Sequence, residues 1–286
     1  MRRSARLSLR AARFARRGKT RTLGGDVILS REVPPAVAAE VAHTEALCMD
    51  FLRGVMFLAM DTARDPEFAN NHFLAYVADD YLESAVAIPS TVREGIHNAC
   101  FRELRFLLEL SVKVCFVQQQ DYHQSVEEKL AAFREQLNSP SISIKNNVEL
   151  SLLPAAERPT FLEETGRIYG ATSNYVHLTF NQMKVRLAQI ENGRTPGNET
   201  PEEVSRLNDL VLRVLSTSFV YIAHSVPSYA VGDFFVGSDG SSRRWSLCRS
   251  QYVALLDESF DYKHERQATL DRIKKMRWDN VSVVAP

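Results

Sequence analysis

The stretch FRELRFLLELSVKVCFV, residues 101–117, decides the fold class. Wound at about 100° per residue it is apolar on nearly every side, which predicts the central, buried helix of a helical protein. Four of its charged residues form a pattern: Arg102, Arg105, Glu109 and Lys113 fall within roughly 80° of one another. Arg105 and Glu109 stand four apart, as do Glu109 and Lys113, so the carboxylate can pair with a cation on either side. Charges on such an element are costly to bury and are paired or wet. Two readings follow. The stripe is a solvated face or an internal ion-pair network, or it lines a cationic groove. Arginine suits bidentate capture of phosphate, so such a groove would fit RNA or a nucleotide.

Helical spacing continues outward on both sides. Pro34-Pro35 opens a run to about Ala63 with Val37, Val41, Leu47, Phe51, Val55 and Leu58 at three- and four-residue steps. Pro66 predicts a second helix carrying Phe68, Phe73, Tyr76, Val77 and Leu82. Thr91 and Glu94 are spaced as a capping box for the central helix, and Ser125 and Glu128 repeat the device for SVEEKLAAFREQLN. The stretch NSPSISIKNNVELSLLPAAERP reads as a loop or substrate-facing connector. From Thr160 one helix is expected through Ile190. After ENGRTPGNET another opens at Thr200-Pro201-Glu202-Glu203, where Pro at the first helical position and acids in the first turn suit the helix dipole. Beyond Ser225 a Gly-, Ser- and aromatic-rich segment could hold a short hairpin, followed by a charged surface helix from about Asp261 to Trp278. The expectation is all-α: a single helical bundle of five or six main helices with an irregular C-terminal region. Its parts are a basic tail at 1–30, the bundle at 31–226, and the irregular segment with its surface helix at 227–286.

Charge sets the tail apart. Nine basic residues precede the first acid, Asp26, leaving 26 basic against 35 acidic residues behind them, so the folded part is acidic. An Arg-rich, acid-free tail fits a targeting segment, a nucleic-acid arm or an inert extension. Cys48, Cys100, Cys115 and Cys248 form no CxxC pair and read as reduced core residues, pointing to a cytoplasmic protein. Apolar windows are broken by Asp50, Arg53, Glu109, Lys113, Arg213 and His224, short of the roughly 18 uncharged residues that a membrane span needs. No membrane association is expected.

His177 is the second candidate. On a continuous helix it would share one side with Glu163, Gly166, Gly170, Ser173, Asn174, Asn181 and Lys184, a small and polar face that a ligand could approach. A histidine there can serve as general acid or base. Alternatively Ser173 or Asn181 satisfies it locally.

RELRFLLEL followed by YGATSNYVH resembles a group of bacterial helical proteins related to the HEPN superfamily, with Arg-x-Leu-Leu-Glu on one helix and Tyr-Gly-x-x-Ser-x-Tyr-x-His on a later one. The resemblance covers about Thr91 to Arg186. It implies a helical bundle that often dimerises, and either a metal-independent endoribonuclease of a defence system or a protein that binds RNA or nucleotide, with or without a partner protein. It would make His177 the acid/base, with Arg102 or Arg105 stabilising the scissile phosphate, Glu109 beside them, and Ser173, Asn174, Lys113 and Asn181 binding substrate. Catalytic members carry an Arg four to six residues before their His; here Arg167 precedes His177 by ten and Arg93 precedes His97 by four.

A metal reading stands against this one. Glu40/His43 and Glu94/His97 are Glu-x-x-His pairs of the kind di-iron carboxylate bundles use, with Glu83 and Glu163 as the further glutamates required. A catalytically inert interaction module is the third possibility. Walker-type, Gly-x-Gly-x-x-Gly, Gly-x-Ser-x-Gly and His-Glu-x-x-His motifs do not occur, so no cofactor is expected. Trp245 beside Arg243-Arg244 could clamp a base.

Overall fold

The computed structural model describes residues 32–139, 141–175, 180–191 and 199–283, and among these the protein is all-α. The chain divides into Met1–Glu32 and the unit Val33–Pro286; the basic tail at 1–30 lies outside the described residues. The helices are α1 (Pro35–Thr62), α2 (Pro66–Asn71), α3 (Phe73–Tyr76), α4 (Ala78–Arg93), α5 (His97–Gln120), α6 (Val126–Ala132) and α7 (Arg134–Asn138). After a 3₁₀ turn at Ser143–Asn147 come α8 (Arg158–Ser173), α9 (Phe180–Glu191), α10 (Pro201–Ser225), α11 (Ser228–Phe235), α12 (Gln251–Glu258) and α13 (Leu270–Asn280). Described residues form only two isolated β-bridges: Val236 with Ser242, inside the Gly-, Ser- and aromatic-rich segment that also holds α11, and Ser250 with Val283 outside it.

Four long helices close a ring: α1 packs on α4, α4 on α5, α5 on α10 and α10 on α1. The α5–α10 pairing is the most extensive. Leu104, Leu107, Leu108 and Val112 of α5 are buried as their spacing predicts. From Val214 to Ser225, α10 is buried at every position, so α5 shares the centre with α10. Ser216, Thr217, Ser218 and His224 disguise that fact in the sequence.

Local signals account for two of the helix starts. Ser125 and Glu128 cap α6 reciprocally, as do Thr200 and Glu203 at α10 behind Pro201. Thr91 and Glu94 do not. They end α4: Ile96 N donates to Thr91 O at 2.7 Å and Gly95 N to Val92 O at 3.0 Å, a Schellman stop around Gly95 at φ 70°. The helix expected from Pro66 is instead the two short segments α2 and α3 followed by α4.

The helix expected from Thr160 to Ile190 is also divided. Thr172 and Ser173 turn their hydroxyls back onto Ile168 O and Tyr169 O at 3.0 and 2.6 Å, and Tyr175 N bonds Thr172 O three residues back. These bonds compete with the regular ladder, and α8 stops. The connector ahead of α8 is pinned, not presented: Gln119 exchanges two hydrogen bonds with Glu149, Leu152 N donates to His224 Nε2, and Leu150 and Leu153 are buried. Among the described residues no helix is long and apolar enough to cross a membrane.

Candidate functional site

The charged stripe of α5 lies against α8, which is anchored from behind. Glu164 of α8, 3% exposed, takes both Nε and a terminal nitrogen of Arg213 of α10 at 2.6 and 2.9 Å. With α8 so fixed, Tyr169 meets α5. Arg105 Nε donates to Glu109 Oε1 at 2.8 Å, its terminal nitrogen donates to the Tyr169 hydroxyl at 2.8 Å, and its guanidinium lies 4.7 Å from the Tyr169 ring centre. Burial first, and then the Glu109 carboxylate, raise the Tyr169 hydroxyl above its ordinary pKa. One turn earlier, Arg102 Nε donates to Tyr175 O at 3.1 Å, and Phe101 stacks on Tyr175 at 3.8 Å with the rings 9° apart. At the other end, Lys113 Nζ donates to Leu137 O at 2.9 Å, closing the last turn of α7; desolvation lowers its pKa.

The stripe therefore holds elements together. Arg105 is buried and neutralised by Glu109, and Lys113 is committed to a main-chain carbonyl. Arg102 differs. It is exposed, it is held through Nε alone, and no described residue bonds its two terminal nitrogens. That leaves one oriented edge able to take an anion in bidentate fashion.

Of the remaining candidates, Ser173 spends its hydroxyl on Tyr169 O, and Asn174 is exposed at the end of α8. Asn181 belongs to α9, its side chain outside the described set, and His177 lies outside the described residues. The structure thus joins Arg102, Arg105, Glu109 and Tyr169 or Tyr175 into one seam, with Lys113 at its far end. Phe101, Tyr169 and Tyr175 carry no site role in the sequence reading, although both tyrosines belong to the Tyr-Gly-x-x-Ser-x-Tyr-x-His motif. Tyr169 is four residues before Ser173, a spacing that already puts the two on one face.

The Glu-x-x-His pairs assemble no metal site among the described residues, although Glu40 Oε2 and His43 Nδ1 lie 4.0 Å apart. Glu40 accepts from Asn208 Nδ2 at 3.0 Å, while His43 Nε2 lies 3.2 Å from Arg249. Glu94 ends α4 and His97 begins α5, so this pair shares no helix; Glu83 and Glu163 are exposed, the latter paired with Arg167. No group of three His, Cys, Asp or Glu among the described residues could hold a metal ion. Trp245 is engaged too, edge-on to Phe219 and Phe234 at 4.8 and 4.9 Å, while Arg243 lies over Phe234 and donates to its carbonyl.

Two surface features remain. A cleft of about 610 Å³ lined by Glu40, Pro201, Glu202, Ser205 and Arg206 is open to solvent and contains no residue of the stripe. Helix α9 is the other. Its Phe180, Met183, Leu187 and Ile190 are 76, 40, 54 and 59% exposed, at steps of three, four and three residues. Compared with protein families, with curated proteins and with solved structures, the chain matches none.

Proposed function

We propose that this protein acts by docking, as a helical interaction module, rather than by turnover. The observation that supports this most is the exposed apolar stripe of α9. Large side chains at coiled-coil spacing, left in water on one helix, suit a partner helix or groove. The state of the α5 stripe supports the same reading: a general base or a phosphate clamp needs an unengaged group, and Arg105, Glu109 and Lys113 are engaged with one another or with the fold.

A second reading is recognition of RNA or nucleotide at Arg102, favoured by its two terminal nitrogens, which no described residue bonds, beside the Phe101–Tyr175 stack. His177, two residues beyond Tyr175 in the chain, would then be the acid/base that the HEPN resemblance implies.

One assay separates the readings: a mixed RNA pool incubated with purified protein in EDTA, with wild type, Arg102→Ala and His177→Ala side by side. Docking expects no cleavage by wild type and no retention of RNA that depends on Arg102. Cleavage lost in both variants would overturn it in favour of a metal-independent ribonuclease. Binding lost only in Arg102→Ala would favour recognition without chemistry.

A further inference from the structure

We propose that α9 pairs in parallel with α9 of a second copy of this chain, a step that rests on the docking reading above. Phe180, Met183, Leu187 and Ile190 occupy alternating a and d positions of two heptads, and charged residues flank the last three: Lys184 after Met183, Arg186 before Leu187, Glu191 after Ile190. In a parallel pair, Arg186 of one copy faces Glu191 of the second, and two-fold symmetry makes two such pairs. Antiparallel pairing in the register that matches the apolar residues sets Lys184 against Lys184 and Arg186 against Arg186, so like charges oppose it.

Charge also argues against the chain's own N-terminal segment as the occupant. That segment carries nine cations ahead of its first acid, and α9 itself has two cations against one acid. The seam is short. Two heptads bury less than the roughly 800 Å² per partner of a standard interface, so the pairing is reversible and in the micromolar range.

The test is sedimentation equilibrium of the full chain across a concentration series, without RNA, so that its outcome is separate from that of the cleavage assay. Wild type is expected to rise from the monomer mass of 32.3 kDa towards twice that value as concentration approaches about 100 µM. Leu187→Glu with Ile190→Glu, both at exposed positions, should hold the monomer mass with unchanged helical content. Arg186→Glu should weaken association about tenfold, and adding Glu191→Arg should restore it. Leu187→Cys should oxidise to a covalent dimer, because in the parallel register position 187 faces itself across the axis. A wild type that stays monomeric throughout, or a dimer indifferent to the two glutamates, overturns the proposal. A dimer that responds to the glutamates but ignores charge reversal and does not cross-link through residue 187 overturns the parallel register.

Discussion

At the scale of single residues, two histidines, His72 and His224, are buried and hydrogen-bonded at both ring nitrogens. His72 donates from Nε2 to Ser225 O at 2.9 Å and accepts from Leu74 N at its Nδ1. His224 donates from Nδ1 to Val220 O at 2.7 Å and accepts from Leu152 N at its Nε2. Each ring is thus held as one neutral tautomer, and protonation would displace the backbone amide it accepts. Desolvation, opposed by the bonds donated to Ser225 O and Val220 O and aided by Lys129 and Arg158, pushes both pKa values from 6.5 to about 4. Above 6.5 both rings are neutral folded or unfolded. As pH falls from 6.5 towards 4 the unfolded chain takes up protons that the folded chain refuses, and stability drops by roughly 3 kcal/mol per histidine. Urea midpoints at about pH 7.5, 6 and 5 should fall accordingly, and His72→Gln should flatten the slope; a midpoint constant over that range would refute the assignment.

At the scale of elements, the ends of helices carry the clearest signals. The Ser125/Glu128 and Thr200/Glu203 boxes are local chemistry, and the structure forms both. Thr91 and Glu94 have the same spacing, yet Gly95 decides the outcome: its φ of 70° lets the chain leave α4 through the Schellman bonds and start α5 two residues later. Gly95→Ala places a Cβ in the left-handed region and should cost about 1–2 kcal/mol, read as a lower Tm with unchanged helical content. An unchanged Tm would mean the turn is held by the packing of α4 on α5 alone. The end of α8 is less legible, because hydroxyl back-bonds at Thr172 and Ser173 and the capture of Tyr175 O by Arg102 act together, and the last comes from another helix.

At the scale of the whole molecule, the charged C-terminal stretch is a fastening. Arg266 and Arg277, both buried, converge on Asp257 and Asp261, with Ser242 donating to Asp257 at 2.8 Å. These bonds join α12, α13 and the turn after α11; α13 is the mixed-charge surface helix the sequence suggested, starting at Leu270 rather than near Asp261, and Arg277 is its buried anchor. Asp257→Asn would leave two buried guanidinium groups short of one carboxylate and should destabilise the protein by about 3–5 kcal/mol in urea unfolding. A loss below about 1 kcal/mol would show that Asp261 alone carries the pair. Replacing the cluster wholesale is a different experiment, since well-packed apolar groups can stand in for a buried ion network.

The sequence by itself determined the all-α class, α5 as a buried element, the opening of α10 and α6, and the clustering of Arg102, Arg105, Glu109 and Lys113 on one side of one helix. Each of these follows from periodicity or from groups within four residues of one another, where chain geometry fixes who meets whom. Only the tertiary structure decided that Tyr169 joins Glu109 in holding Arg105, that Leu137 holds Lys113, that no described residue bonds the terminal nitrogens of Arg102, and that the apolar stripe of α9 stays in water. Those outcomes depend on which elements pack together, and a buried charge takes whichever partner the packing brings within reach.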